Sequence, residues 1–527
     1  MTSRLDSLTS AASDWERLRV VVAGIGVSGF AAADALVERG ARVVVLDAAA
    51  GHAHRERAVI LQTLGAEVRL GRDAVTTMPD VAGAAPDVVV TSPGWRPDHP
   101  VLAGAAAVGV PVWSEVELAW RMRPASGAAP WLTLTGTNGK TTTTTMLASI
   151  LTAAGLRSAA VGNAGTPVLE AVLHPHPYDV LAVELSSFQL HSTSSVHPRA
   201  SACLNVAPDH LDWHGSLDAY TRDKGRVYQS TELACVYNVA DPVTEQLVRD
   251  ADVIEGCRAI GFTLGVPGPS MLGVVDDVLA DRAFVAERRT SAAELATLDD
   301  VRAGAGGVDG DRPAPHVVAD ALAAAALARA HGVPAIAVRN GLRGLRPSPH
   351  RLSRVAEADG VTWVDDSKAT NPHAADAALR GFDHVVWIAG GLAKGAGQDA
   401  FDALVRAHAG RLRGAVLIGR DRDLLHAALA RHAPNVPVID VSVTQTGAVA
   451  GERAEGPRDS SPRGGVDALM DMVADAAASM ARPGDTVLLA PACASMDQFE
   501  SYAQRGDEFA GAVRRRAARG SASGTEG

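Results

Sequence analysis

The chain has 527 residues, 47% of them apolar and 21% charged, with a net charge of −11. At roughly 100–200 residues per domain, this length predicts about three domains with cores of ordinary size. The acidic balance gives nucleic acid no electrostatic attraction, so no nucleic-acid partner is expected, although an anionic small substrate needs only local cations. Cys203, Cys235, Cys257 and Cys493 match neither a zinc spacing nor a disulfide framework and read as buried reduced thiols. Asp6, Asp14 and Glu16 precede the first apolar run, unlike a signal peptide. The most apolar helical stretch, 317–330, contains Asp320 and Arg329 and is too short to span a bilayer. The expectation is a cytoplasmic protein acting as a single chain, with no membrane partner.

Along the chain, short β-branched runs alternate with Ala/Leu-rich stretches of helical period, which predicts an α/β fold with mainly parallel sheets. The first third holds strands at 19–23, 43–46 and 88–91. Gly24-Ile25-Gly26-Val27-Ser28-Gly29 follows the first of them directly and opens an Ala-rich helix. Such a GxGxxG turn lets backbone approach a phosphate at a helix N-terminus, and Asp47 closes the next strand, where a dinucleotide fold places its ribose-binding acid. By itself this motif fits NAD, another nucleotide, or a packing turn without ligand. The stretch 123–130, with its Pro and Gly, reads as a linker.

A second series opens with a strand at 131–135 and the loop Gly136-Thr137-Asn138-Gly139-Lys140-Thr141-Thr142. This is a shortened phosphate loop, because Leu134 stands where the longer GxxxxGK[ST] form has its first glycine. Backbone amides cradle phosphates there, Lys140 reaches the terminal ones, and Thr141 offers an oxygen to Mg²⁺. Met146, Leu147, Ile150 and Leu151 give the following helix one apolar face, and Gly155 is placed to end it. A strand at 180–183 ends in Glu184, which holds a metal if it lies beside the phosphate loop and is a solvated strand end if it does not. The strand at 201–205 leads to His210, alone readable as a helix cap, and then to Lys224.

The last third places strands at 361–364, 385–389, 415–418 and 486–489. Three polar loops follow such strands: Asp365 to Pro372, Gly390 to Lys394, and Pro491 to Phe499. Strand C-termini are where α/β proteins bind ligands, although Ser495 and Asp497 also read as helix caps. Stretches 298–315 and 441–465 lack an apolar period and read as flexible insertions, and the tail after Arg514 as disordered. The expected architecture is α/β in three domains. An N-terminal Rossmann-like domain covers 1–126, a central P-loop ATPase-type α/β domain 127–348, and a C-terminal Rossmann-like domain 349–527.

Taken in order, GIGVSG, Ser92-Pro93-Gly94, GTNGKTT, ELSSFQL, NVAPDHLDWHG, DDSKATN and PACASMDQF resemble the Mur ligase family. DSKATN and ACASMDQF resemble its D-glutamate-adding members. The resemblance covers nearly the whole chain apart from the two insertions and the tail. It implies a ligase in which ATP phosphorylates the alanine carboxylate of UDP-N-acetylmuramoyl-L-alanine. The amine of D-glutamate then attacks the acyl phosphate, in peptidoglycan precursor synthesis. By the same resemblance, Gly26, Val27, Ser28, Asp47, Ser92, Pro93, Gly94 and Asn163 bind the UDP substrate. Gly136, Thr137, Asn138, Gly139, Lys140, Thr141 and Thr142 bind ATP, together with Arg351, Asp366 and Lys368. Lys140, Glu184, His210 and Lys224 are catalytic, and Thr141, Glu184, His210 and Lys224 surround Mg²⁺, Lys224 as a carbamate. Thr370, Lys394, Ser495, Met496 and Tyr502 hold D-glutamate. The chain departs from the family pattern at Ala48 and Ala49, where hydroxyl and basic residues are usual. It departs again at Val317, which follows His316 where Asn is usual, and at Tyr502, where some members have Phe. A folate-type ligase of the same superfamily would lack the GxGxxG module, and an NAD oxidoreductase would leave the phosphate-loop module without a task.

Overall fold

The computed structural model describes residues 4–305, 313–346, 350–441 and 466–523. Among these, the strands form three sheets. The first is parallel throughout, in the order β3-β2-β1-β4-β5. Its strands are β1 (Arg19–Ala23), β2 (Arg42–Asp47), β3 (Glu67–Leu70), β4 (Val88–Thr91) and β5 (Val112–Ser114). The second sheet has the order β14-β13-β12-β11-β10-β9-β6-β8-β7. It comprises β6 (Trp131–Thr135), β7 (Ser158–Gly162), β8 (Val180–Glu184), β9 (Ala200–Cys203), β10 (Ala234–Asn238), β11 (Arg258–Phe262), β12 (Met271–Val275), β13 (Val278–Asp281) and β14 (Ala293–Thr297). Here β12, β13 and β14 pair antiparallel and the other neighbours parallel. The third has the order β15-β16-β20-β17-β18-β19. Its strands are β15 (Ser353–Ala358), β16 (Val361–Asp365), β17 (Val385–Gly390), β18 (Leu412–Ile418), β19 (Val438–Asp440) and β20 (Thr486–Leu489), and only β15 runs antiparallel to its neighbour.

The strands that read as unbroken apolar runs are central: every residue of β4, β6, β8 and β17 is buried. Parallel strands covered by helices on both faces require this composition, because neither face meets water. In the first sheet β1 lies between β2 and β4, so the chain leaves it at the point where strand order reverses, and the GxGxxG turn sits there. In the second, β6 lies between β8 and β9 and delivers the phosphate loop beside the ends of both. The helix Lys140–Ala153 buries Met146, Leu147, Ile150 and Leu151 completely, and Gly155 follows it with φ 82°. The helix Pro315–Ala330 is apolar on nearly every side, and its residues from Ala321 to Ala328 are fully buried. Such all-round burial identifies a core helix, not an amphipathic one.

Two expectations are corrected. The stretch 298–315 is not a flexible insertion throughout: Leu298–Ala305 is a helix, Val301 is buried in the core, and Asp300 pairs with Arg339 and Arg343. Pro315 already belongs to the core helix, as a proline at a helix start can. The tail after Arg514 is helical as far as Ser523, with Arg515 and Arg516 paired to Asp471 and Asp475 of the helix Val466–Met480. A single-sequence pattern misses these because their order comes from partners distant in the chain. Of the stretch 441–465, Val441 is buried and the remainder lies outside the described residues. Cys203, Cys235 and Cys493 are buried free thiols, whereas Cys257 is partly exposed, 3.7 Å from Cys235. No helix among the described residues is long and apolar enough to cross a membrane.

By contacts the chain divides into two compact units. One holds the first two sheets, and the other holds the third sheet together with the short stretch Ala207–Asp212. Within the first unit, the helix Glu115–Arg121 ties the first sheet's side to the second's through two buried carboxylates. Glu117 accepts hydrogen bonds from Ser194 N at 2.8 Å and Ser195 N at 2.9 Å, and pairs with Arg121. Although burial disfavours its charge, these donors hold its pKa below the ordinary value. Glu115 accepts from Leu169 N at 2.6 Å, capping the helix Val168–Val172, but its other oxygen is buried without a partner. Burial therefore pushes its pKa up to about 7.

A raised carboxyl pKa means that the folded chain keeps a proton that the unfolded chain releases. Glu115 should thus cost stability as pH rises from about 4.5 through 7, up to about 3 kcal/mol in all. Thermal unfolding of Glu115→Gln followed across this window should be flatter with pH than that of the parent chain. Parallel curves would show that Glu115 is already ionised.

Candidate active site

The phosphate loop is shaped by its neighbour after β9. Asn138 N donates to Asn205 Oδ1 at 2.9 Å, Asn205 Nδ2 donates back to Asn138 O at 3.1 Å, and Thr137 N donates to Asn205 O at 3.0 Å. Gly139 has φ 83°, and a Cβ there would lie 2.3 Å from Asp320 Oδ1, so both the backbone and the space require glycine. Within the threonine run at the helix start, Thr144 and Thr145 donate their hydroxyls to Lys140 O and Thr141 O, one turn back. Lys140 Nζ donates to Gly136 O at 2.9 Å and Thr137 O at 3.0 Å.

Lys224 comes to the same point. It is 1% exposed, in the helix Leu217–Gly225, and its Nζ also donates to Gly136 O at 2.9 Å. Tyr220, one turn earlier, places its hydroxyl 3.0 Å from Thr137 Oγ1. Lys224 is thus no surface lysine, and the carboxylate next to it in the chain, Asp223, is engaged by His191 and His214 at 2.9 and 3.0 Å and by Arg226. Burial raises the Asp223 pKa, but the two histidine hydrogen bonds outweigh it and hold the carboxyl at about 2. Glu184, at the end of β8, is 2% exposed and accepts from Asn163 Nδ2 at 2.9 Å. Glu184, Asn163, Lys140 and Lys224 therefore belong to one compact unit. His210 lies in the stretch Ala207–Asp212 with φ 53°, its backbone N donating to Asp209 Oδ1. Among the described residues no three or more His, Cys, Asp and Glu side chains cluster as a metal site.

At the first sheet, Asp47 Oδ2 accepts from Ile25 N at 2.8 Å and Oδ1 from Ala49 N at 2.8 Å, so this acid fixes the GxGxxG turn. A Cβ on Gly29 would fall 1.8 Å from Gly24 O. Gly26 caps the following helix, Val27 is exposed, and Ser28 lies in the first turn. Ser92, Pro93 and Gly94 line a cavity of about 160 Å³ with Trp95, Phe188, Gln189, His191 and Trp213. Gln189 closes a capping box with Ser186 through Oε1, while its Nε2 is buried without a partner. Sequence reading did not select Gln189, Phe188, Trp213 or Asn205. Their signal was their place in ELSSFQL and NVAPDHLDWHG, beside residues that were selected.

In the second unit, the three polar loops are knitted together. Arg505, fully buried, donates to Ser367 Oγ at 3.0 Å, Ser367 O at 2.8 Å and Cys493 O at 3.1 Å, and burial lowers its pKa to about 10. Ser367 Oγ in turn donates to Tyr502 O at 2.7 Å. Asp366 is buried, which pushes its pKa to about 7 against the attraction of Arg351, whose own Nε is buried without a partner. Lys368 Nζ stands 5.3 Å above the Tyr502 ring. Thr370 N donates to Lys368 O, Lys394 has φ 50°, Ser495 is buried and Met496 is exposed. No helix begins at Ser495 or Asp497; the Asp497 carboxylate accepts instead from Arg420 N at 2.7 Å.

Two family models match the chain: the Mur ligase middle domain over residues 134–328, and the Mur ligase, glutamate ligase domain over 350–493. The chain belongs to the Mur ligase family. It is 57% identical, over 95% of its length and 99% of the relative's, to the UDP-N-acetylmuramoylalanine--D-glutamate ligase of Streptomyces avermitilis. The protein of that name from Mycolicibacterium smegmatis is 48% identical over 94% of this chain and 96% of its own. Among solved structures, the fold resembles a MurF of Acinetobacter baumannii, with TM-score 0.54, 16% identity and 90% of each chain covered. It also resembles the UDP-N-acetylmuramate-alanine ligase of Thermotoga maritima, with TM-score 0.52, 17% identity and coverage of 94% and 99%.

Gly139→Ala tests the phosphate loop. The strain of a positive φ and the clash with Asp320 should weaken ATP binding about tenfold or more while the chain still folds. Unchanged ATP affinity by calorimetry would show that the loop relaxes freely.

Proposed function

We propose that the chain is an ATP-dependent ligase that joins D-glutamate to UDP-N-acetylmuramoyl-L-alanine through an acyl phosphate, in peptidoglycan precursor synthesis. The observation that carries this reading is the convergence of Lys140 and Lys224 on the Gly136 carbonyl, in a chain 57% identical to a D-glutamate ligase over 95% of its length.

A carboxylate is a poor electrophile, so its oxygen must first receive a phosphoryl group. The chain's contribution is positioning and charge neutralisation. Gly136–Thr142 cradle the phosphates, and Lys140 meets their charge. Thr141 and the buried Glu184 offer hard oxygen donors that suit Mg²⁺, which fills its shell with phosphate oxygens and water and so needs few protein ligands. When bound, the ion neutralises charge on the transferred phosphoryl group. His210 is assigned to a second ion. Lys224 is assigned as a carbamate, formed when its neutral Nζ bonds to the carbon of CO₂ and releases one proton. The remaining N–H keeps a donor for Gly136 O.

The other assignments follow by position. Gly26, Val27, Ser28, Ser92, Pro93 and Gly94 would hold the UDP diphosphate, Asp47 would belong to the same UDP-substrate site, and Asn163 would meet the muramoyl part. The partnerless Nε2 of Gln189 supports an acceptor in the adjoining cavity. Arg351, Asp366 and Lys368 would meet ATP, the partnerless Arg351 Nε being one site for an acceptor. Thr370, Lys394, Ser495, Met496 and Tyr502 would hold D-glutamate. The domains proposed for these tasks are 1–126, 127–348 and 349–527. With a nucleotide-linked sugar and ATP as substrates, the proposed setting is the cytoplasm, and the chain is proposed to act as a monomer.

Phosphate release should require ATP, the UDP-linked substrate and D-glutamate together. Equal turnover with L-glutamate, or turnover on a folate, would overturn the assignment, as would micromolar NAD binding without binding of the UDP-sugar. Lys224→Ala should nearly abolish turnover with the fold intact, and added short carboxylates should restore part of it. Lys224→Arg should not rescue, because guanidinium stays charged and cannot be carbamylated. Near-parental turnover of Lys224→Arg would exclude the carbamate.

A further inference from the structure

A hydrogen-bonded chain, buried at Ser187, His214 and Asp223 and open to solvent at His191, lies beside this machinery with no part in the steps above. His214 Nδ1 is 3.0 Å from Asp223 Oδ2, and His214 Nε2 is 3.0 Å from Ser187 Oγ. His191 Nδ1 reaches the same Asp223 oxygen at 2.9 Å, while the other Asp223 oxygen is 3.6 Å from Arg226 Nε. The His214 side chain is 1% exposed. Its ring lies parallel to Phe188 at 5.6 Å and meets Tyr220 edge-on at 5.1 Å.

Serine, histidine and aspartate in this order make a nucleophile in hydrolases. Here Ser187 is 3% exposed, and neither Ser187 nor His214 is among the residues lining the adjoining cavity. A substrate in that cavity would meet Phe188, Gln189 and, of the network, only His191, which is no nucleophile here because its Nδ1 is turned to Asp223. The arrangement is therefore suited to holding parts in place.

The parts it joins are specific. Ser187 begins the short helix that follows Glu184 and Leu185, and Asp223 immediately precedes Lys224. Successive residues of a helix point about 100° apart, so anchoring Asp223 on one side fixes the direction in which Lys224 leaves the helix. An atom about 6 Å from a helix axis moves about 2 Å when the helix turns 20°, enough to lose a hydrogen bond. Lys224 Nζ meets Gly136 O at 2.9 Å and Tyr220 Oη meets Thr137 Oγ1 at 3.0 Å, so two contacts depend on that rotation.

We propose that Ser187, His214, His191 and Asp223 form a positioning network that sets the rotation of the helix Leu217–Gly225 and so presents Lys224 to the phosphate loop for carbamylation. This rests on the reading of Lys224 as a carbamate. The network links the Glu184 segment to the Lys224 segment, so carboxylate and lysine are placed by one set of hydrogen bonds.

The test is ¹³C NMR of the full-length protein titrated with ¹³C-bicarbonate, with kcat and KM measured alongside. The parent chain should give a carbamate resonance that Lys224→Ala lacks. Absence of the resonance in the parent would overturn the reading of Lys224, and with it this inference. Asp223→Asn keeps the shape but removes the anionic acceptor. It should raise the bicarbonate concentration for half-occupancy about tenfold or more, the scale of one charge-assisted hydrogen bond. It should also lower kcat by a similar factor with KM for ATP nearly unchanged. Ser187→Ala should act in the same direction by less. Parental half-occupancy in Asp223→Asn would overturn the positioning role while leaving Lys224 a carbamate. Should Asp223→Asn not fold, His214→Gln and Ser187→Ala carry the measurement, and parental half-occupancy in both would overturn the proposal.

Discussion

Two lysine side chains converge on one carbonyl oxygen in this protein. Lys140 and Lys224 each donate to Gly136 O at 2.9 Å. As ammonium groups, two nitrogens that each lie 2.9 Å from the same oxygen are within about 6 Å of one another and repel by about 3 kcal/mol or more at an effective dielectric near 20. The repulsion is tolerated because the fold holds each lysine from behind, Lys140 in the first turn of a core-packed helix and Lys224 in a helix anchored through Asp223. Bringing anionic phosphates to this point would convert the repulsion into attraction, and turning one ammonium into a carbamate would remove it. The loop's other constraints serve the same arrangement: Asn205 clasps its backbone, and Asp320 leaves no room for a side chain at Gly139.

Buried charge follows one rule elsewhere in the chain. Glu117, Asp223 and Arg505 are each taken from water and each meets several partners, so none is an uncompensated buried ion. Arg505 has no carboxylate partner in those bonds; it stabilises two loops through carbonyl and hydroxyl oxygens, which fixes the backbone after β16 and β20 together. Among the described residues Glu115 and Asp366 depart from this, and both respond by a pKa near 7. One sits at the junction of the first two sheets, and the other beside Arg351 in a loop assigned to ATP.

The α/β class, most of the central strands and the phosphate loop were legible in the sequence because each is written locally. Val180–Glu184 reads as a buried strand wherever it stands, and Gly139-Lys140-Thr141 carries its chemistry in adjacent residues. The failures share a cause as well. Leu298–Ala305 has no apolar period of its own, and its order comes from Val301 in the core and Asp300 against Arg339 and Arg343. The helix beyond Arg514 is held by Asp471 and Asp475, more than forty residues earlier in the chain. Ser495 and Asp497 looked like caps because their local pattern is that of a cap, whereas Asp497 bonds to Arg420 N across the sheet.

Sequence by itself determined which chemical groups this protein owns and in what order: a phosphate-binding turn, a lysine, a strand-end carboxylate and three polar loops. These follow from residue identity, hydrophobic period and turn chemistry, which act over a few residues. Only tertiary structure decided that Lys224 is buried and not a surface lysine, that Asp223 faces two histidines, and that Asn205 clasps the phosphate loop. Each of these is a pairing between segments far apart in the chain. Strand order and helix rotation set such pairings, and no local pattern encodes them.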